Sequence, residues 1–163
     1  MNTGEPFDPP DEPWVRVSPR LISLRRLVAS ALTVVLTVGA ALGLWFVAHW
    51  LAGVAVVVGL LMLVWDWVLI GRNVRAWGYA ERAEDLLVVR GVLVRQLVVV
   101  PYGRMQYVDV TAGPLDRRFG LATVQLHTAA AATDAQIPGL VPAEAARLRD
   151  RLAARGEAGA AGV

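Results

Sequence analysis

The sequence predicts a membrane α-hairpin followed by a mainly-β cytoplasmic domain that ends in a helix. Three observations support this fold class. The 44 residues from Leu27 to Ile70 contain no formally charged side chain until Asp66. From Arg72 the pattern changes to short alternating segments broken by glycine and proline, which is typical of β-strands. A last segment beginning at Pro142 has the apolar spacing of an amphipathic helix.

The apolar run is too long for one membrane crossing. A straight helix of 44 residues would measure about 66 Å, roughly twice the ~30 Å hydrocarbon core of a bilayer. We place the turn between the two helices at residues 48–50, because the polar His49 lies there close to Trp45 and Trp50, and tryptophan favours the membrane interface. The predicted helices cover about residues 26–47 and 51–71.

Arginines predict the orientation of the hairpin. Four precede the first helix, two follow the second, and the turn contains none, so the positive-inside rule places both termini in the cytoplasm of a plasma (inner) membrane. Asp66, the only carboxylate of the apolar run, lies between two tryptophans near Arg72. This position favours an interfacial role over proton or ion transfer. The predicted membrane-interface residues are Arg25, Arg26, Trp45, Trp50, Trp65, Asp66 and Trp67.

The sequence divides into four segments. Residues 1–20 form a proline-rich acidic tail and a juxtamembrane segment, in which residues 1–15 have too few apolar groups to fold and residues 14–20 are expected along the membrane surface. Residues 21–71 form the hairpin, residues 72–156 the β domain with its helix, and residues 157–163 a flexible tail.

Within the domain, turn signals separate six predicted strands and one short helix. Gly91 is the expected hairpin turn, Gly113-Pro114 breaks the fourth strand, and Gly156 is the expected end of the C-terminal helix. The C-terminal helix should pack through Ala145, Leu148 and Leu152. The predicted strands are 73–82, 85–90, 92–101, 104–111, 121–128 and 135–138, with a helical turn at 115–119 and a turn at 129–134.

Composition excludes several classes of function. The chain has no cysteine, which excludes disulfides, thiolate catalysis and cysteine-bound metals. The net charge is only +2 and arginines alternate with acids, so nucleic-acid binding is not expected. No phosphate-binding glycine loop is present. His127 has only Asp109, Asp116 and Asp134 as potential partners, so we interpret it as a partly exposed strand residue and expect no metal, cofactor or catalysis.

Three motifs carry a resemblance to a known family. They are PYGRMQYV at 101–108, GPLDRRFGLA at 113–122 and IPGL at 137–140. Together with the N-terminal hairpin they resemble the bacterial pleckstrin-homology-like (bPH) membrane proteins of the YdbS type, from about residue 14 to 155. Val100 and Met105 replace isoleucines of the family pattern. The resemblance implies a PH-like small β-barrel or sandwich, capped by the C-terminal helix and held at the cytoplasmic face.

Two interpretations remain open for the polar residues of these motifs. Arg117 and Arg118 could bind lipid headgroups or a partner. In the structural alternative, Arg117 or Asp116 holds the turn by hydrogen bonds to backbone carbonyls or amides, and Phe119 fills the core. Arg104 and Gln106 could bind a partner or hydrogen-bond to that same turn. Residues 97–100 are either core or an interface at a sheet edge. The candidate partner- or lipid-binding residues are Arg72, Arg75, Arg104, Gln106, Arg117 and Arg118.

We therefore expect a non-enzymatic, membrane-anchored adaptor that binds partner membrane proteins or copies of itself. The first alternative is a reader of anionic lipid headgroups through Arg72, Arg75, Arg117 and Arg118. The second is an accessory subunit of a transport or envelope-stress system that uses Asp66. The expected partners are the lipid bilayer and a membrane protein or second copy, with no nucleic acid and no small-molecule substrate.

Overall fold

The computed structural model describes residues 13–129 and 134–161, with side chains up to residue 157. The chain forms two compact units: Ile22–Arg72, and a second unit made of the described residues up to Leu21 and from Asn73 onward. The elements are β1 (Val15–Arg16), α1 (Arg20–Trp45), α2 (His49–Arg75), β2 (Gly78–Glu81), β3 (Asp85–Arg90), β4 (Gln96–Pro101), β5 (Met105–Thr111), α3 (Pro114–Phe119), β6 (Ala122–Thr128), β7 (Ala135–Leu140) and α4 (Pro142–Ala161).

The two N-terminal helices have the length and composition of membrane spans. α1 has 26 residues and α2 has 27, and each contains a strongly apolar stretch of 18 residues. Both helices are longer than the sequence predicted, because arginine sustains a helix well and the helical pattern does not stop where the apolar run stops. Consequently Arg72 and Arg75 lie on α2 and do not follow it. The turn is Phe46–Ala48, and His49 begins α2.

The second unit contains two antiparallel sheets and no closed barrel. The first sheet has the order β1-β2-β3-β4 and the second the order β5-β6-β7. β1 is a strand that the sequence did not predict, in which Val15 pairs with Tyr79 and Arg16 with Gly78. The position of residues 14–20 along the membrane surface stays a prediction. The prediction for residues 1–12 lies outside the described residues. The architecture is a PH-like sandwich, and the barrel alternative is wrong.

Strand bounds agree with the predictions where turns are sharp and differ elsewhere. β3 has its predicted bounds, and α3 is the expected short helix. β2 begins at Gly78, five residues later than predicted, because residues 73–75 continue α2. β4 begins at Gln96, since Gly91 has φ +96° and opens a five-residue turn. The turn predicted at 129–134 falls mostly on residues that the structure does not describe.

A bulge and a longer helix are the other differences. In β5, Met105 pairs with Thr128 and Tyr107 with His127, so Gln106 is the extra residue. The expected shared face of Met105, Tyr107 and Asp109 is therefore interrupted. α4 continues past Gly156 to Ala161, which corrects the predicted flexible tail at 157–161. Glycine inside a helix costs only about 1 kcal/mol relative to alanine, so Gly156 does not have to end the helix.

The core lies between the sheets and under α4. The predicted stripe of Ala145, Leu148 and Leu152 is confirmed, since all three are fully buried. α4 packs on the 3-10 turn Tyr102–Arg104, on β5 and on β6. α4 therefore lies against the second sheet and the turn that precedes β5.

A polar network that the sequence did not predict attaches α4 to the first sheet. The buried Tyr79 donates a hydrogen bond of 2.7 Å to Glu144, and Arg147 bridges Glu144 to Glu81. The Arg147 guanidinium and the Tyr79 hydroxyl lower the pKa of Glu144 to about 2, against the opposing effect of burial. Burial and the neighbouring Glu144 raise the pKa of Tyr79. The charged form of Glu144 is therefore part of the folded structure.

Candidate functional site

One end of the first sheet is the end from which the chain continues into both long helices. Arg16, the last residue of β1, pairs with Gly78, the first residue of β2, and Gly78 pairs with Val89 near the end of β3. The exit toward α1, the entry from α2 and the β3–β4 turn therefore share one end of the sheet. We call it the membrane-linked end.

The third sequence motif binds the segment that leads into α1. The Ser18 amide donates a hydrogen bond of 2.9 Å to the Gly139 carbonyl. Gly139 has φ +73°, and a Cβ there would lie 2.7 Å from Cδ2 of Leu21, a side chain that is 3% exposed. Only glycine permits both this backbone conformation and this approach. The IPGL motif is thus a docking site for residues 18–21.

The second motif forms α3 and its caps. The Asp116 carboxylate accepts a hydrogen bond of 3.0 Å from the Gly113 amide, and the Asp116 carbonyl accepts one of 2.8 Å from Leu121. Gly120 ends the helix in the left-handed conformation, and a Cβ there would lie 3.3 Å from Nη1 of Arg20. The structural interpretation of Asp116 is confirmed. Phe119 remains partly exposed, so its expected place in the core is wrong.

Arg117 and Arg118 lie exposed on the last turn of α3. Neither forms an ion pair with another residue in the described ranges. Because Arg20 lies against Gly120, three arginines cluster where α1 begins. A guanidinium group suits phosphate oxygens. We call Arg20, Arg117 and Arg118 the basic cluster.

The other predicted binding residues are not brought into one site. Arg104 and Gln106 are both exposed, and within residues 13–129 and 134–161 neither side chain hydrogen-bonds to the α3 turn, so that structural interpretation is wrong. Arg75 is exposed, and its carbonyl accepts a hydrogen bond of 3.1 Å from Arg16. Arg72 is exposed and is the last residue of the hairpin unit.

Large apolar side chains are exposed in and beside the β3–β4 turn. Leu93 is 90% exposed and Val94 80% exposed. In β4, Val100 is buried whereas Val99 is 43% exposed. Residues 97–100 are thus partly core and partly surface. β4 is also an edge of its sheet.

His127 is partly exposed, as predicted, and its surroundings are now defined. Its ring stacks on Tyr107 with centroids 4.3 Å apart, and Nδ1 lies 3.4 Å from a carboxylate oxygen of Asp134. The other Asp134 oxygen accepts a hydrogen bond from the Thr128 amide. The Thr128 hydroxyl lies 3.4 Å from that same oxygen. The part of the chain that the structure describes contains no cluster of three metal-ligating side chains.

The predicted membrane-interface residues form two groups on the hairpin. At one end Arg26 donates a hydrogen bond of 2.9 Å to the Trp67 carbonyl and lies over the Trp67 ring, while Ser30 accepts one from the Trp67 indole. Asp66 accepts a hydrogen bond of 3.2 Å from Thr33. At the other end Trp45 contacts His49, and Trp50 is exposed. Trp65 is exposed, and Arg25 has a partner within the structure.

Comparison with known proteins identifies the family. The profile of the family described as bacterial PH domain matches residues 23–156, which is most of the chain. The chain belongs to the bacterial PH domain family. It is 30% identical over 148 residues to the transmembrane protein YdbS of Bacillus subtilis strain 168, covering 87% of this chain and 92% of that protein. No solved structure matches the chain.

Two of the family motifs share a place in the structure. This bacterial PH protein is membrane-associated, and two of the motifs that carried the resemblance contact residues 18–21 at the start of α1. Sequence reasoning found these motifs but not their common contact. It also missed the exposed Leu93 and Val94, although an apolar Val-Leu-Val run in a turn was a visible signal.

Proposed function

We propose that this bacterial PH protein is a non-catalytic adaptor, anchored in the plasma membrane by its hairpin and binding a partner membrane protein in the cytoplasm. The single observation that supports this role best is the open edge of the first sheet at β4. Among the described strands, β4 pairs only with β3. An edge of this kind is a template for an added strand.

The β4 edge lacks the features that usually prevent pairing. Every second residue of an antiparallel edge strand directs its N–H and C=O outward. Residues 97–100 are uncharged and mostly β-branched, and Val99 is exposed at the middle of the strand. Natural edges are commonly protected by lysine, by an inward-pointing charge or by a central proline, and this strand has proline only at its end.

Charge favours a different protein over a second copy as the occupant. Residues 86–108 contain three arginines and no acid, and Arg95 and Arg104 flank β4. Two copies meeting at this edge would bring like charges together. A partner strand that is apolar and flanked by Asp or Glu would complement it.

The test uses single cysteines, because the natural chain has none. Full-length Val99→Cys is labelled in native membranes with a maleimide–benzophenone photocrosslinker, and Asp150→Cys, exposed on α4, is the matched control. We expect one discrete adduct at position 99 only, mapped by mass spectrometry to an extended, acid-flanked segment of a membrane protein. Adding Leu97→Pro, which breaks the edge, should abolish it.

Two outcomes would reject this function. An adduct of two copies of the chain would replace the partner by self-association. Absence of any adduct at position 99, or equal adducts at 99 and 150, would show that the edge binds nothing.

The basic cluster supports a second candidate function, the binding of anionic lipid headgroups. The observation that favours it is the contact of Arg20 with Gly120, beside Arg117 and Arg118. A basic residue near an anionic leaflet contributes about 1 kcal/mol, so Arg117→Ala with Arg118→Ala should weaken headgroup binding by about 2 kcal/mol, roughly thirtyfold. Native mass spectrometry of the detergent-purified full chain with added phosphatidylglycerol measures this. The control is Arg149→Ala. Equal lipid retention by both variants would show that the basic cluster does not bind lipid headgroups.

A further inference from the structure

We infer that the β3–β4 turn, residues 91–95, is a second membrane anchor that inserts Leu93 and Val94 into the headgroup region of the bilayer that holds the hairpin. Four features of the described structure support this inference. It goes beyond the adaptor function, because it concerns lipid contact by the turn and holds whether or not the β4 edge binds a partner.

The first feature is the position of the turn. Gly78 pairs with Val89, and Ala76-Trp77 connects Gly78 to the end of α2. The turn begins at Gly91, about two strand residues or ~7 Å beyond that pair, in the direction from which the chain enters the sheet. The turn therefore projects from the membrane-linked end, where β1 also exits toward α1.

The second feature is apolar exposure. Leu93 is 90% exposed and Val94 80% exposed, more than any other large apolar side chain of the second unit. Comparable values occur at the turn of the hairpin, where Phe46 is 88% and Val47 75% exposed. Two adjacent apolar side chains at the tip of a turn are unfavourable in water. They are favourable in a headgroup region that receives their apolar surface.

The third feature is charge. Arg90 and Arg95 bracket the two apolar residues, and the nearest acids along the chain are Asp85 and Asp109. Arginine beside an apolar wedge complements anionic lipid, since the apolar part enters the interface while the guanidinium groups remain at the phosphates. A protein surface would need acidic side chains placed opposite these two arginines. An anionic leaflet supplies negative charge at every point where the turn reaches it.

The fourth feature is the defined shape of the turn. Gly91 adopts φ +96°, and a Cβ there would collide with the Val94 carbonyl oxygen. Arg90 Nε donates a hydrogen bond of 3.0 Å to Gln96 Oε1 and closes the base of the turn. The two apolar side chains are thus presented by a closed hairpin.

The experiment places an environment-sensitive nitrobenzoxadiazole label on single cysteines of the full chain in proteoliposomes of phosphatidylethanolamine and phosphatidylglycerol. Leu93→Cys reports the tip. Ala83→Cys is the matched control, because it is exposed in the β2–β3 turn at the opposite end of the same sheet. We expect blue-shifted emission at position 93 and quenching by shallow spin-labelled lipid several-fold stronger than at position 83. Replacing phosphatidylglycerol by phosphatidylcholine should reduce that quenching.

Three outcomes would overturn the inference. Equal emission and quenching at positions 93 and 83 would place the tip in water. Blue-shifted emission at 93 without lipid quenching would place it against protein. Quenching that is strongest with deeply labelled lipid would show a buried segment and not an interfacial one. The crosslink at Val99 is measured separately, so failure here leaves the adaptor test unaffected.

Discussion

The side chain of Leu21 lies directly against Gly139, at the point where β7 ends and the segment before α1 begins its helix. Ser18 strengthens this contact through its amide hydrogen bond to the Gly139 carbonyl. The residues that lead into the first membrane helix are thus part of the PH-like core. A fragment that starts at residue 72 would lack β1 and Leu21, both of which belong to that unit.

Gly139→Ala should destabilise this contact. The substitution forces a Cβ into a left-handed backbone position and to within 3 Å of Leu21, which together cost about 2–4 kcal/mol. We expect a lower Tm in detergent and faster proteolysis around residues 14–19. Gly43→Ala on α1 is the control, because a Cβ there meets nothing within 4 Å. Equal Tm values for the two variants would show that the contact contributes nothing.

The low pKa of Glu144 predicts a pH dependence of stability. Its pKa falls from 4.5 to about 2 on folding, so its contribution is fully present above about pH 4.5 and is lost as the pH falls toward 2. Glu144→Gln should flatten that part of the curve of unfolding free energy against pH, measured by denaturant unfolding of the full chain in detergent. Asp150→Asn, at an exposed carboxylate of the same helix, should leave the wild-type curve unchanged. An unaltered slope in Glu144→Gln would contradict the network.

Asp66 can be tested for a structural against a transport role. Thr33 donates to Asp66, and asparagine keeps an acceptor oxygen there, so a structural role predicts normal hairpin stability and normal growth for Asp66→Asn. Asp66→Leu and Thr33→Val should each cost about 0.6–1.7 kcal/mol, and the double variant should cost little more than either one. These energies are measured by unfolding in detergent. A growth defect of Asp66→Asn at wild-type expression would instead support transport.

The predicted orientation can be measured on intact cells, because the chain has no cysteine. Phe46→Cys lies in the turn between α1 and α2, and Ala83→Cys lies in the PH-like unit; both positions are exposed. With both termini in the cytoplasm, a membrane-impermeant maleimide should label position 46 from outside and position 83 only after lysis. The reverse pattern would invert the topology.

The local elements were predictable where their cause is local. The hairpin follows from a charge-free run, β3 from alternation between two turns, and the α4 stripe from helical spacing. β1 was missed because two residues carry no strand signal of their own, and their pairing with Tyr79 and Gly78 spans more than 60 positions. Helices α2 and α4 continue past their predicted ends. Neither Arg75 nor Gly156 forces a helix to end, so the sequence did not mark these ends.

The candidate site shows the same division. The motif around Arg117 and Arg118 was visible as a Gly-bounded turn, and the Asp116 cap follows from helix chemistry. The contact of Arg20 with Gly120 was not visible, because it joins residues 100 positions apart through a glycine that ends a helix. Leu93 is exposed because β4 begins only at Gln96. The sequence did not show this start, because most residues of the segment 92–100 are apolar and it was read as one strand.

By itself the sequence determined that this chain is a membrane hairpin followed by a small β unit. The free energy of transferring apolar side chains out of water adds up residue by residue, so the hairpin can be recognised from the sequence alone. Only the tertiary structure decided that β1, the entry to β2 and the β3–β4 turn share one end of a sheet. Strand register depends on hydrogen bonds between distant segments, and a shift of one residue would move every side chain to the other face. That register places the exposed apolar turn at the end of the sheet from which the membrane helices continue.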